Sequence, residues 1–258
     1  MTLARPAAAV DPALIPPKPF QLMQHTEANF AAIGNQHLRA FRREAGLRPD
    51  ADVLEIGSGN GRIARALTTY LDGGSYVGAE IMRPFVDWCA AAYAGYPRFS
   101  FRHIDVHNRH YNPEGRTAAR DYRFPFPDGA FDFIYLTSVF THMLRPEVEN
   151  YLGEIARMLK PGGASFISYF LLDAETRALM ASGRSRRVFK PYDDVTFIER
   201  EDDPEAAVAF DLDFVRAAYA RAGLLIRDGH PEFGRWRDPE GNPDRKHNQD
   251  RIVATKPG

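Results

Sequence analysis

Cysteine is nearly absent. Cys89 is the single one in 258 residues, so no disulfide can form within the chain. A lone thiol fits a reducing compartment. Long apolar runs are missing too, and none approaches the ~20 residues that a membrane-spanning helix needs. Neither sign of charge is in excess: 33 Lys and Arg against 34 Asp and Glu leave a net charge of −1, without the basic surplus of a nucleic-acid binder. The stretch 1–20 lacks the apolar core of a signal peptide, because Pro6, Asp11, Pro12, Pro16 and Pro17 interrupt it. These absences lead us to expect a cytoplasmic protein with neither a membrane nor a nucleic-acid partner. The 44% of hydrophobic residues suffice for a core that needs no disulfide or metal staple.

The chain divides by pattern. Residues 1–45 read as an N-terminal arm and cap. The arm is rich in Pro and Ala up to residue 19, and Phe30, Ile33, His37, Leu38 and Phe41 then recur at helical spacing. Strand–helix alternation follows within 46–258. Strands are expected at 52–57, 75–82, 99–104, 131–137 and 164–170, with helices at 60–71, 84–93 and 147–159. The last of these helices is closed by Lys160-Pro161-Gly162-Gly163, a stop-and-turn signal, and Glu154 is expected on its exposed face. Further on, 174–180 and 211–222 read as helices, the second capped by Asp211 or Asp213, and 224–229 and 251–255 as final strands. Between them, 182–210 is polar, first basic and then acidic, and reads as a lid insertion. Such alternation predicts an α/β fold, a parallel sheet with helices on both faces.

The strongest local signal is Val53-Leu54-Glu55-Ile56-Gly57-Ser58-Gly59-Asn60-Gly61-Arg62, between a strand and a helix. Glycines at alternate positions turn the backbone tightly and let a ligand approach where a Cβ would stand in the way. Arg62 stands where a dinucleotide fingerprint needs its third glycine, and no Gly-Lys-Ser/Thr follows to make a P-loop. Two acids end the next two strands: Glu80, 19 positions after Gly61, and Asp105. A carboxylate at Glu80 can accept from both hydroxyls of a ribose, and one at Asp105 from an adenine amino group. Ligands of open α/β sheets bind outside the carboxyl ends of the strands, so these groups are expected to converge. Taken singly, the loop also serves helix–strand packing, and Glu80 also suits a solvated strand end.

In order and in register, VLEIGSGNGR, YVGAEI, FRHIDV, FPFPDGAFDFIYLTSVFTHML and YLGEIARMLKPGG resemble the class I S-adenosylmethionine (SAM)-dependent methyltransferases, over roughly residues 50–170. The resemblance implies a Rossmann-like domain with a mostly parallel, twisted, seven-stranded sheet and a helical N-terminal cap. It implies SAM as cofactor and S-adenosylhomocysteine as product. Gly57, Ser58, Gly59 and Gly61 would then face the methionine part, Glu80 with Ile81 the ribose, and Asp105 with Val106 the adenine. Glu55 would order the loop or the methionine amine, and Thr137 would border the cofactor after the fourth strand.

The segment after that strand carries neither a Pro-Pro-aromatic run, nor a cysteine nucleophile, nor clustered acids for Mg²⁺, nor a loop with two glutamates. That leaves a metal-independent enzyme with a small-molecule acceptor, and SVFTHML resembles methyltransferases of sugars and secondary metabolites. A hydroxyl acceptor benefits from a base, for which His142 is the candidate, with Tyr111 and Tyr192 as alternatives. His142 equally suits a packed, hydrogen-bonded role. A catalytically silent SAM-binding scaffold and a nucleotide-cofactor oxidoreductase are the competing readings. His103, Asp105, His107 and His110 cluster in sequence, but strand-end roles account for them, and no metal site is expected.

Overall fold

A computed structural model describes residues 11–20, 27–241 and 247–258, and the chain forms two compact units, Met1–Arg116 and Thr117–Gly258.

In the first unit the arm makes two short 3-10 turns, Pro12–Leu14 and Lys18–Phe20. Asp11 caps the first by accepting from the Ala13 N–H, and Leu14 is fully buried. Helix α1 (Glu27–Ala40) runs on into a π-type turn that Gly46 ends at φ 69°. Then β1 (Asp52–Ile56), α2 (Arg62–Leu67), β2 (Ser75–Glu80), α3 (Arg83–Ala92) and β3 (Phe99–His103) alternate. The three strands pair in parallel, Asp52 opposite Ser75 and Tyr76 opposite Phe99. Gly34 lets α1 lie directly against the Arg62 carbonyl, where a Cβ would collide. The buried Arg65 of α2 donates to the Ala31 carbonyl and to Asn35, fixing the two helices together.

The second unit holds β4 (Phe131–Leu136), α4 (Arg145–Met158), β5 (Leu159–Tyr169), β6 (Leu171–Leu172), α5 (Ala174–Ala181), β7 (Lys190–Pro191), β8 (Thr196–Ile198), β9 (Val208–Asp211), α6 (Leu212–Arg221), β10 (Leu225–Ile226) and β11 (Asp250–Thr255). β4 and β5 are parallel, whereas β11 runs antiparallel to β5 and β10 to β11. The main sheet has the order β10-β11-β5-β4-β1-β2-β3, the seven-stranded, mostly parallel α/β sheet expected from sequence. Asp211 caps α6, accepting from the Asp213 and Phe214 N–H groups.

Two features depart from the sequence reading. The polar segment 182–210 contributes β7, β8 and the start of β9 to a second sheet, β6-β9-β8-β7. That sheet has its own core of Phe170, Leu172, Phe189, Phe197, Ala207, Ala209 and Trp236. Its strands are two to four residues long, too short for an alternating pattern to show. Glu154, expected on the surface, is 8% exposed. It accepts the Phe124 N–H and pairs with Arg157, which also donates to Asp128 and to the carbonyls of Phe124 and Phe126. This helix face holds down the long connection before β4.

Candidate cofactor and acceptor sites

In the first unit, β1 is buried from Val53 onward and ends in the glycine loop. Gly57, Gly59 and Gly61 all have positive φ, at 79°, 51° and 76°, where a side chain is strained. The Gly57 and Ser58 N–H groups donate to the Ala79 carbonyl at 2.8 and 3.3 Å, which fastens the loop to β2. From the other side, the Tyr93 hydroxyl donates to the Gly61 carbonyl at 2.9 Å. A Cβ on Gly61 would press on Tyr93 and Cys89, so packing by itself calls for glycine there. Burial pushes the Cys89 thiol far up, so it is an inert core residue.

Glu80 is 6% exposed. Its Oε2 accepts the Gly59 N–H at 2.7 Å and its Oε1 the Met82 N–H at 2.9 Å. Burial raises its pKa, partly offset by hydrogen bonds from the Met82, Gly59 and Ile81 backbone. The structure thus joins the loop and the β2 acid that the sequence paired. The carboxylate keeps spare lone-pair capacity, and an acceptor of this kind is what a ribose hydroxyl requires. The Ser58 hydroxyl is buried in the loop without a hydrogen-bond partner. It rests over Gly78, whose missing Cβ makes room for it. An orphaned hydroxyl and a carboxylate with spare acceptors fit the polar end and the sugar of a nucleoside cofactor such as SAM.

The other expected cofactor residues stand as follows. Glu55 is buried and accepts the Tyr76 hydroxyl at 2.5 Å. Burial lowers the pKa of Arg62, and the Glu55 charge opposes that shift. The Ile81 carbonyl is held by His103 Nε2 at 2.9 Å, which gives that histidine a strand-end role. Val106 is buried. Asp105 lies about a third exposed, in an ion pair with Arg116 at 2.6 Å that keeps its carboxyl below the usual range. Among the described residues no group of three or more His, Cys, Asp or Glu is placed to hold a metal.

In the second unit, β4 ends at Leu136, and Thr137 follows half-buried. His142 closes the 3-10 turn Phe140–His142. Its Nδ1 lies 2.9 Å from the Glu205 carbonyl. A carbonyl only accepts, so Nδ1 carries a proton, and in the neutral ring Nε2 is then the acceptor nitrogen. Glu205 belongs to the segment 182–210, which Asp194 also ties to Arg145 beyond the same turn, at 3.1 Å. Ser138, inside the run singled out from sequence but not marked, has φ 59°. Its partners are Ser168 and Gln249, and no sequence signal pointed to either.

Residues 54–167 match the family described as "Methyltransferase domain". Among curated proteins, the chain is 30% identical over 129 residues to Sterol 24-C-methyltransferase erg6 of Schizosaccharomyces pombe, covering 50% of this chain and 30% of that protein. It is 28% identical over 148 residues to the phthiotriol/phenolphthiotriol dimycocerosates methyltransferase of Mycobacterium tuberculosis, covering 57% and 47%. The chain thus spans less than half the length of the curated relatives it matches. A solved structure of a SAM-dependent methyltransferase from Aquifex aeolicus superposes with a TM-score of 0.53 at 16% identity, over 86% of this chain and 89% of that one, a likeness of fold. No helix among the described residues is long and apolar enough to cross a membrane. The matched stretch 54–167 resembles a methyltransferase domain, and the seven-stranded sheet shares the fold of solved SAM-dependent methyltransferases, so SAM is the cofactor that domain and fold imply.

Proposed function

We propose that the chain transfers the methyl group of SAM to an oxygen of a small molecule, without a metal, and that His142 accepts the proton the acceptor gives up. The observation that carries this reading is the Glu205 carbonyl on His142 Nδ1, which sets the tautomer a general base requires. The cofactor supplies an already activated methyl on a sulfonium, so the chain's own task is alignment, exclusion of water and removal of one proton. In the first unit, Glu80 and the loop Gly57–Ser58–Gly59–Gly61 hold the ribose and the methionine end. Asp105, with Ile81 and Val106 beside it, reads the adenine once Arg116 yields it. Thr137 borders the cofactor, and Glu55 keeps the loop in shape through Tyr76. The segment 182–210 borders the acceptor, since it supplies the carbonyl that orients His142. The near-neutral net charge favours a small-molecule acceptor over a nucleic acid.

The proposed acceptor is an oxygen of a sugar or secondary metabolite. The name of the fission-yeast relative, a sterol 24-C-methyltransferase, favours a second reading, in which a carbon receives the methyl. Incubating the protein with isotopically labelled SAM and a metabolite extract, then locating the label by mass spectrometry and NMR, separates O-methyl from C-methyl products. With the acceptor in hand, His142→Gln should lower kcat by roughly 10²–10⁴-fold and leave cofactor affinity unchanged. A variant with full kcat removes His142 from the chemistry.

A further inference from the structure

We propose that Gln249 recognises the methyl acceptor, its side-chain amide donating to a carbonyl, carboxylate or hydroxyl oxygen of that molecule; this rests on the methyl-transfer reading above. Ser138 is the one non-glycine residue with positive φ among those described. It is exposed and lies just past the carboxyl end of β4, the side on which ligands of such sheets bind. Backbone held in this way persists only where its surroundings fix it, and it gathers at functional sites. Here the surroundings are two side chains. The Ser138 N–H donates to Ser168 Oγ at 2.8 Å, and its hydroxyl donates to Gln249 Oε1 at 3.0 Å. Ser168, nearly buried at the end of β5, also donates to Gln249 Oε1, at 2.8 Å.

The amide's orientation follows from proton counting. Ser168 Oγ already accepts the Ser138 N–H, so its own proton needs an acceptor, and that assigns Oε1 rather than Nε2 to the serines. The two protons of Nε2 then find no acceptor among the described residues. The backbone around Gln249 is built to hold it there. Asp250, fully buried, accepts from the N–H groups of Leu171 and Gly234, both at 2.7 Å, and from Trp236 Nε1 at 2.9 Å. On the other side, the Asn248 carbonyl accepts the Trp236 N–H at 3.1 Å, and His247 Nδ1 bonds the Gln249 carbonyl at 2.7 Å. A fixed two-proton donor with no acceptor among the described residues, beside a strained and exposed serine, is a recognition group for oxygen.

Gln249→Glu tests this directly. The glutamate keeps one oxygen for both serines and replaces only the outward NH₂ with an acceptor. Initial rates are measured with labelled SAM against a dilution series of the extract fraction that takes up label, and against the pure acceptor once it is isolated. The expected result is an apparent KM for the acceptor raised by about tenfold or more, the loss of one hydrogen bond. kcat should stay within about threefold and S-adenosylhomocysteine affinity and melting temperature should be unchanged. Gln249→Met, uncharged and of similar length, must raise KM in the same way, which covers the case of a poorly folding glutamate variant. An unmoved KM in either folded variant overturns the proposal, as does a loss of stability and kcat without a change in KM. Wild-type protein that transfers no label to any extract refutes methyl transfer itself, and this proposal with it.

Discussion

Replacing Glu80 with Ala removes the group that closes the glycine loop and to which we assign the ribose. The side chain is 6% exposed and holds the N–H groups of Gly59 and Met82. Hydrogen bonds to a charged group are worth about 1.5–3 kcal/mol, and each ~1.4 kcal/mol is tenfold, so cofactor affinity should fall roughly 10- to 150-fold. Calorimetry with S-adenosylhomocysteine near neutral pH measures this. Glu201→Ala is the control, because that side chain is 74% exposed in a surface pair with Lys190. The effect should also depend on pH. Burial raises the Glu80 pKa, so the folded protein holds this proton more tightly than the unfolded chain does. Its charge therefore costs stability as pH rises through the window between the unfolded and folded values. Ribose binding needs that charge, so affinity should fall on acidification at a pH above the ordinary carboxylate value of 4.5, and Glu80→Ala should lack that acid limb. A Glu80→Ala protein that binds as tightly as Glu201→Ala across this range would falsify the ribose assignment.

Asp250 offers a pH test of stability. Burial pushes its carboxyl up to about 7 from 3.8, so its stabilising share is complete below the unfolded value and is lost as pH rises towards about 7. Melting curves should show the wild type gaining on Asp250→Asn as pH falls from 8 to 5, and parallel curves would count against a titrating carboxyl there. Turnover should survive EDTA, because no acid cluster follows β4; loss of activity that Mg²⁺ restores would require a metal.

The glycine loop and its acid were legible because their signals are local. Gly57, Gly59 and Gly61 sit within five residues, and each is required by its own positive φ. The loop is read from its place between a buried strand and a helix. Glu80 and Asp211 were equally readable, one at the end of a strand and one at the head of a helix. Periodicity reports only what a side chain faces on its own element. It put Glu154 outward, and could not show that the loop before β4 folds back across that face to be held by Glu154 and Arg157.

By itself, then, the sequence determined the alternating α/β order, the glycine loop with its acid, and the family they resemble. Backbone propensity, capping and side-chain period act between near neighbours, and these were enough. Only the tertiary structure decided what surrounds His142 and Ser138. Glu205 reaches His142 across 63 positions and Gln249 reaches Ser138 across 111, through a second sheet with strands of two to four residues and a buried Asp250 that ties three separate backbone segments together. Contacts of that range are set by how sheets pair and how loops return, and no pattern among neighbouring residues encodes them.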